Sequence, residues 1–439
     1  MRPLLPLLLV FAAAAQEQPA LERLLDAAPS APPEIAADLL LRAVEQRRVR
    51  EPEAVLELLE RAWDYAGLAR LPMPRRPVSG GRALDRFNAL SLRARVLALM
   101  KPLGPERARA RLLALSAPLP PPLDCEAATV WDPAPYYEAV AGLGSLEDRG
   151  QAIRQVTHPS QLAPALELVI GFQGSVEDRA MLAVGWAGAL QAARGDSVSF
   201  DATRELPLRI AVLAEMLRAQ GAGAAYLADA WRAYVLAHWN GELCARVASP
   251  ANTGAWRSRT QAAYNERLRA AAGSSAPPIN FDEEIEPARI IGDASPLRSE
   301  ETRSRQEEWL LFYAGLSRLL PSLGPAASPA DIQRAVLQAL AQLDEWEQPV
   351  EGVAPGEWLF LRISAAQTLL QGAAGETRTA ILRWMLRTLR HSDLQRSAPA
   401  DWLQAWRQVL AAAPPDLIRQ EGDSLMDLLL LAREILGWQ

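Results

Sequence analysis

The chain has 439 residues, half of them hydrophobic and 6% aromatic, with a formal net charge of -6. That length suffices for two or three domain-sized units with a sizeable core, and the acidic balance argues against nucleic acid as a partner, because phosphate binding calls for a basic surface. Ala and Leu dominate the apolar set, which favours helix over sheet, and Lys101 as the single lysine leaves little room for lysine-based catalysis.

In chain order, residues 1–15 read as a secretory signal peptide. Arg2 supplies a short basic region, Leu4 to Ala15 an apolar run, and Ala13 and Ala15 a small-residue cleavage site before Gln16. The run is shorter than the about 20 residues a membrane-spanning helix takes. No later stretch is apolar for long enough to span a bilayer. The mature chain is therefore expected to be exported, periplasmic or extracellular, with no integral membrane segment after cleavage.

Helical periodicity dominates the rest of the chain. Val55, Leu58, Leu59, Ala62 and Ala66 form one apolar stripe, and Ile332, Ala335, Val336, Ala339, Leu340 and Leu343 form another. The pattern predicts about fourteen or fifteen helical segments joined by short Pro/Gly/Ser turns, and no run of alternating, β-branched strand. Start signals precede several stripes. Ser328 and Pro329 stand ahead of Asp331, and Ser145 with Asp148 and Ser397 with Asp401 look similar. "GSLEDRG" at 144–150 returns as "GSVEDRA" at 174–180, a spacing that suits one helical hairpin per repeat. The Trp-Leu-Gly-Tyr signature of tetratricopeptide repeats is absent. The fold class predicted is all-α, with stacked helical hairpins in an α-solenoid-like row; the alternative is a closed α/α toroid.

Proline-rich turns interrupt the helices at 71–82 and 117–123. Residues 273–296, acidic and rich in Pro and Gly, are too long for an ordinary connection and read as a linker. The predicted organisation is a signal peptide at 1–15, an N-terminal helical-repeat region at 16–272, the linker, and a C-terminal helical region at 297–439. The apolar end, "SLMDLLLLAREILGWQ", is expected to close the helical stack.

Chemistry-bearing motifs are few. No P-loop, H-E-x-x-H, paired C-x-x-C or G-x-S-x-G elbow occurs, and "GAGAAY" at 221–226 reads as a turn between helices. The acidic run Asp282, Glu283, Glu284 and Glu286 matches no EF-hand and reads as solvated. No metal and no cofactor are expected. Cys125 and Cys244 are the only two cysteines, and an even count in an exported chain predicts a disulfide. Such a clamp would hold the loop bearing Trp131, Asp132, Tyr136 and Tyr137 near the end of the predicted helix 224–247, which carries Cys244. Trp231, Tyr234, His238 and Glu242 form one stripe of that helix and are candidates to face a ligand, with the Trp131 loop as its cover. The same spacing also suits a core-facing stripe.

The chain has 13 Trp, several beside acidic residues, such as Trp346 between Glu345 and Glu347. Paired carboxylates with aromatic platforms are the tools of glycoside hydrolysis. Two readings of function stand. The first is a non-enzymatic protein-binding or scaffolding module. The second is an α/α-toroid enzyme acting on polysaccharide or cell-envelope glycan.

Overall fold

The computed structural model describes residues 19–78, 87–245, 247, 254–272, 277–285, 289–291, 300–324, 327–350 and 353–438. The expected signal peptide lies outside the described residues, as do Glu286 and parts of the 273–296 segment. The fold is all-α. The chain divides into two compact units, one made of residues 1–70 with 297–439, the other of 71–296.

The first unit begins with α1 (Pro33–Glu45) and α2 (Pro52–Gly67), which pack on each other. Each has proline at its start, where the missing N–H costs nothing. Ile35, Leu39 and Ala43 of α1 are fully buried, as is the predicted stripe of α2 around Leu59, Ala62 and Ala66.

The second unit opens with β1 (Arg75–Pro77), followed by α3 (Ala89–Met100), α4 (Pro105–Ala114) and β2 (Thr129–Trp131). Next come α5 (Ala134–Leu143), α6 (Leu146–Arg154), α7 (Pro159–Ile170), α8 (Val176–Ala192), α9 (Ser197–Asp201), α10 (Leu206–Ala219) and α11 (Ala225–Trp239). It ends with β3 (Glu242–Cys244), α12 (Gly254–Ala272), α13 (Phe281–Glu284) and β4 (Arg289–Ile291). Beside contacts between neighbours such as α7 and α8, helices pack two or three places apart along the chain. α3 lies on α5, α5 on α7, α7 on α10 and α10 on α12, while α6 lies on α8 and α8 on α11. The 144–150 and 174–180 echo falls at the starts of α6 and α8, two helices in direct contact. Ser145 and Ser175 each accept a hydrogen bond from the backbone N–H of the aspartate three residues on.

The chain then returns to the first unit with α14 (Glu300–Ser322), α15 (Pro329–Glu345), α16 (Pro355–Leu370), α17 (Gly375–Arg390), α18 (Leu394–Ser397), α19 (Pro399–Ala412), α20 (Pro415–Glu421) and α21 (Ser424–Leu436). α14 packs on α16, α16 on α19, α15 on α17 and α17 on α20. α1 contacts α19 and α21, and Trp438 donates from Nε1 to Asp38 Oδ2 at 3.0 Å with both side chains buried. Residues 1–70 thus belong to one compact unit with 297–439.

Several details differ from the sequence reading. Ser328 caps α15 as expected, but Ser397 ends the short α18, and Ala398 is the residue that precedes α19. Short helices such as α9, α13 and α18 had no legible stripe. Among the described residues, four three-residue strands form two small pairings: β1 with β2 antiparallel, setting Arg76 opposite Val130, and β3 with β4 parallel. Over its described residues, the 273–296 segment is docked in the second unit. Ile279 and Asn265 exchange two hydrogen bonds, at 2.6 and 2.9 Å, and fully buried Phe281 lies against Trp239 and Tyr264. Glu284 pairs with Arg232.

Candidate functional site

Cys125 and Cys244 form a disulfide, with their Cα atoms 5.4 Å apart across a sequence separation of 119. Cys125 sits in the turn before β2, and Cys244 ends β3. Both strands contact α9, and the Cys244 N–H donates to Ser197 Oγ at 3.0 Å. The disulfide thus gathers β2, β3 and α9 around one point.

The aromatic stripe of α11 faces inward. Trp231 and Tyr234 are fully buried and His238 nearly so. The side they were expected to offer a ligand is filled by α9 and the residues after it. Phe200 stacks on His238 with ring centres 4.6 Å apart, and Thr203 Oγ1 lies 3.2 Å from the Tyr234 hydroxyl. Burial raises the Tyr234 pKa. Burial, aided by the Arg194 charge, holds the His238 imidazole down to about 4. Glu242 leaves the stripe because α11 ends at Trp239, and it is exposed on β3. This is a core stripe, as the alternative reading of the spacing allowed.

The Trp131 loop is mostly interior too. Trp131, Tyr136 and Tyr137 are buried; the two tyrosines meet edge to face at 5.1 Å, and the Arg75 guanidinium stacks 4.3 Å over Trp131. Asp132 alone of this group reaches an open surface. Its Oδ1 accepts the Ala134 N–H at 3.1 Å and so begins α5.

That surface is a cleft of about 800 Å³ within the second unit. One wall is the β1–β2 ribbon, with Arg76, Val78, Ala128 and Asp132. The floor is one side of α7, with Pro159, Ala163, Pro164 and Glu167. The opposite wall runs from Asp201 through Leu206 to Arg209. Pro164 inside α7 lacks the N–H that would bond to the Ser160 carbonyl. Together with Ala163 it keeps the floor low and apolar. Most charges here are internally paired. Arg209 forks onto both Glu167 oxygens at 2.7 and 2.6 Å, Arg204 pairs with Asp201, and Glu205 with Arg267 at 2.8 Å.

Behind the floor, Ser160, His158 and Asp196 stand in a row. Ser160 Oγ is 3.0 Å from His158 Nδ1, and His158 Nε2 is 3.3 Å from Asp196 Oδ2. Burial opposes the Asp196 charge, but hydrogen bonds from His158 and Ser199 outweigh it and hold the carboxyl below its ordinary range. The row resembles a hydrolytic triad only in composition. His158 caps α7 by accepting the Ser160 N–H, and Ser160 is 3% exposed, which leaves no approach for a substrate. Its role is to lock α7 to the start of α9.

The sequence reading brought Asp132 and the disulfide to this region but missed Arg76, Glu167 and the 201–209 wall. The Arg75-Arg76 pair inside a proline-rich turn was the one local signal available. No protein-family model matches the chain, and no curated protein matches it. Among the described residues, no helix is long and apolar enough to cross a membrane, and no group of three or more His, Cys, Asp or Glu side chains is placed to hold a metal ion.

Proposed function

We propose that this chain is an exported helical-repeat protein, each unit a stretch of α-solenoid, whose second unit binds an extended segment of another protein in the cleft between the β1–β2 ribbon, α7 and the 201–209 wall. The observation that carries the reading is the make-up of the cleft: a low floor of Ala and Pro between walls whose charges are largely paired with one another. Small apolar floor residues leave room for a backbone and its side chains, and charged rims set register. Export is supported by the residue pattern of 1–15 together with the Cys125–Cys244 disulfide. Contacts between helices two or three places apart along the chain in each unit support the reading as stacked hairpins.

The glycan reading has less behind it. Sugar platforms need exposed aromatic faces, whereas every Trp whose side chain is described, other than Trp346, is buried, and the cleft is lined by aliphatic and charged side chains. The test is a photo-crosslinking residue placed at Ala163 in the cleft, with a control at Met181, which is 57% exposed on α8. Ala163 should capture one recurrent polypeptide segment from the exported fraction, the synthetic segment should compete, and Ala163→Trp should block it. Equal capture at Met181, or capture of glycan, would count against the proposal.

A further inference from the structure

Two charges in the cleft are left over once its internal pairs are drawn. Arg76 lines the cleft half-buried and, among the described residues, makes no ion pair. Asp132 lines it from the neighbouring strand, with Oδ1 turned to the Ala134 N–H and no cation on it among the described residues. Every other charged residue of the lining has an opposite charge in hand: Glu167 with Arg209, Asp201 with Arg204, Glu205 with Arg267.

The ladder sets where these two stand. Arg76 is opposite Val130, and Asp132 follows Val130 by two residues, so both belong to the same face of the ribbon. Such diagonal neighbours stand about 7–8 Å apart, within reach of a long side chain, yet among the described residues Arg76 and Asp132 make no ion pair with each other. In an extended chain, side chains separated by one residue stand about 6.7 Å apart and share a face. The separation of the two residues along the ribbon is thus close to that of alternate residues in a bound strand.

We propose that the segment bound in this cleft carries an acidic and a basic side chain separated by one residue, the acid received by Arg76 and the base by Asp132. The inference rests on the reading of the cleft as a polypeptide site. It commits to one occupant chemistry: extended, with small or aliphatic residues around the charged pair to match the Ala163–Pro164 floor. Arg76 supplies a planar fork suited to a carboxylate, and both groups are part-shielded, which strengthens the attraction relative to a bare surface.

The experiment uses the full mature chain and four fluorescein-tagged heptapeptides of alanine and valine. They differ at two positions flanking one alanine: Glu and Arg, Gln and Gln, Arg and Arg, or Glu and Glu. Fluorescence anisotropy at low salt should rank the Glu–Arg peptide about tenfold above the Gln–Gln peptide, and that gap should shrink in about 0.5 M salt. Arg76→Glu should move the preference to the Arg–Arg peptide, and Asp132→Lys to the Glu–Glu peptide, with helical circular dichroism unchanged. Equal binding of all four peptides, or an Arg76→Glu protein that keeps the original ranking, would overturn the charge pairing and leave the cleft reading standing. Failure of all four to bind in an Ala163→Trp-sensitive manner would overturn both.

Discussion

Removing the Cys125–Cys244 bond should destabilise the second unit selectively. The bond spans 119 residues of sequence. A closed loop of that length restricts the unfolded chain by about 4.9 kcal/mol at 25 °C in the chain-entropy treatment. For a unit of this size each kcal/mol moves the melting temperature by roughly 2–4 °C, so the loss amounts to roughly 10–20 °C. The native side adds to this. Cys125 lies in the turn before β2, and β2 meets α9, so the reduced protein must hold the ribbon with the short β1–β2 ladder and the packing of Val130 and Trp131 alone. Differential scanning calorimetry with and without a phosphine reductant measures the shift. A Cys125→Ser, Cys244→Ser double variant separates loss of the bond from effects of the reductant. Hydrogen exchange should rise first in 125–132 and 197–206, while α15 to α17 of the first unit keep their protection. A reduced protein that melts within about 3 °C of the oxidised one would refute the reasoning.

Three further outcomes are expected in other parts of the molecule. His238 is held neutral with its pKa lowered to about 4 from the ordinary 6.5, so the unfolded chain takes up a proton in that window and the folded chain does not. Stability contributed by this group is therefore complete above pH 6.5 and falls as the pH drops towards 4, by about 3 kcal/mol, and His238→Gln should flatten that limb in urea titrations run at each pH. A His238→Gln protein with the same acid limb as the parent would disprove the assignment. Trp438→Phe removes the donor to buried Asp38 and should cost about 2 kcal/mol in chemical denaturation; a loss below about 0.5 kcal/mol would mean that the carboxylate's other partners, among them Arg42 at 2.7 Å, make up for the lost donor. In Gly195→Ala the new Cβ would lie 2.6 Å from Pro159 Cδ and 2.8 Å from the His158 ring. The start of α7 must shift, and a destabilisation of about 1–3 kcal/mol is expected in the same assay. An unchanged midpoint would show that this turn gives way freely.

What was legible from residue order is what depends on neighbours in sequence. The stripes of 55–66 and 332–343 became buried helix faces because the apolar side chains recur at the helical period and nothing nearby competes. Ser145, Ser175 and Ser328 were readable as caps because a cap is satisfied within three residues. Ser397 failed the same test because a four-residue helix, too short for any stripe, occupies 394–397. The candidate site was harder. Whether Trp231, Tyr234 and His238 face a ligand or the core depends on Phe200, and nothing in the spacing of α11 places Phe200 against it. The cleft itself is assembled from a three-residue ladder, the floor of α7 and the 201–209 wall. Arg76 and Asp132 meet there only through the register of strands too short to show alternation. The disulfide was the one long-range contact that composition revealed, because with two cysteines only one pairing exists.

The contact of α1 with α19 and α21 has a consequence for the order of events at birth. Ile35, Leu39 and Ala43 present their apolar face early in synthesis, but the helices that cover it span 399–436 and are made far later along the chain. The second unit is continuous in sequence and complete by Pro296, so it can mature while that early hairpin still waits for its cover. The N-terminal hairpin is thus the part of the chain longest in need of a holding chaperone. Stalling synthesis before residue 399 should leave it as the preferred site of proteolytic attack.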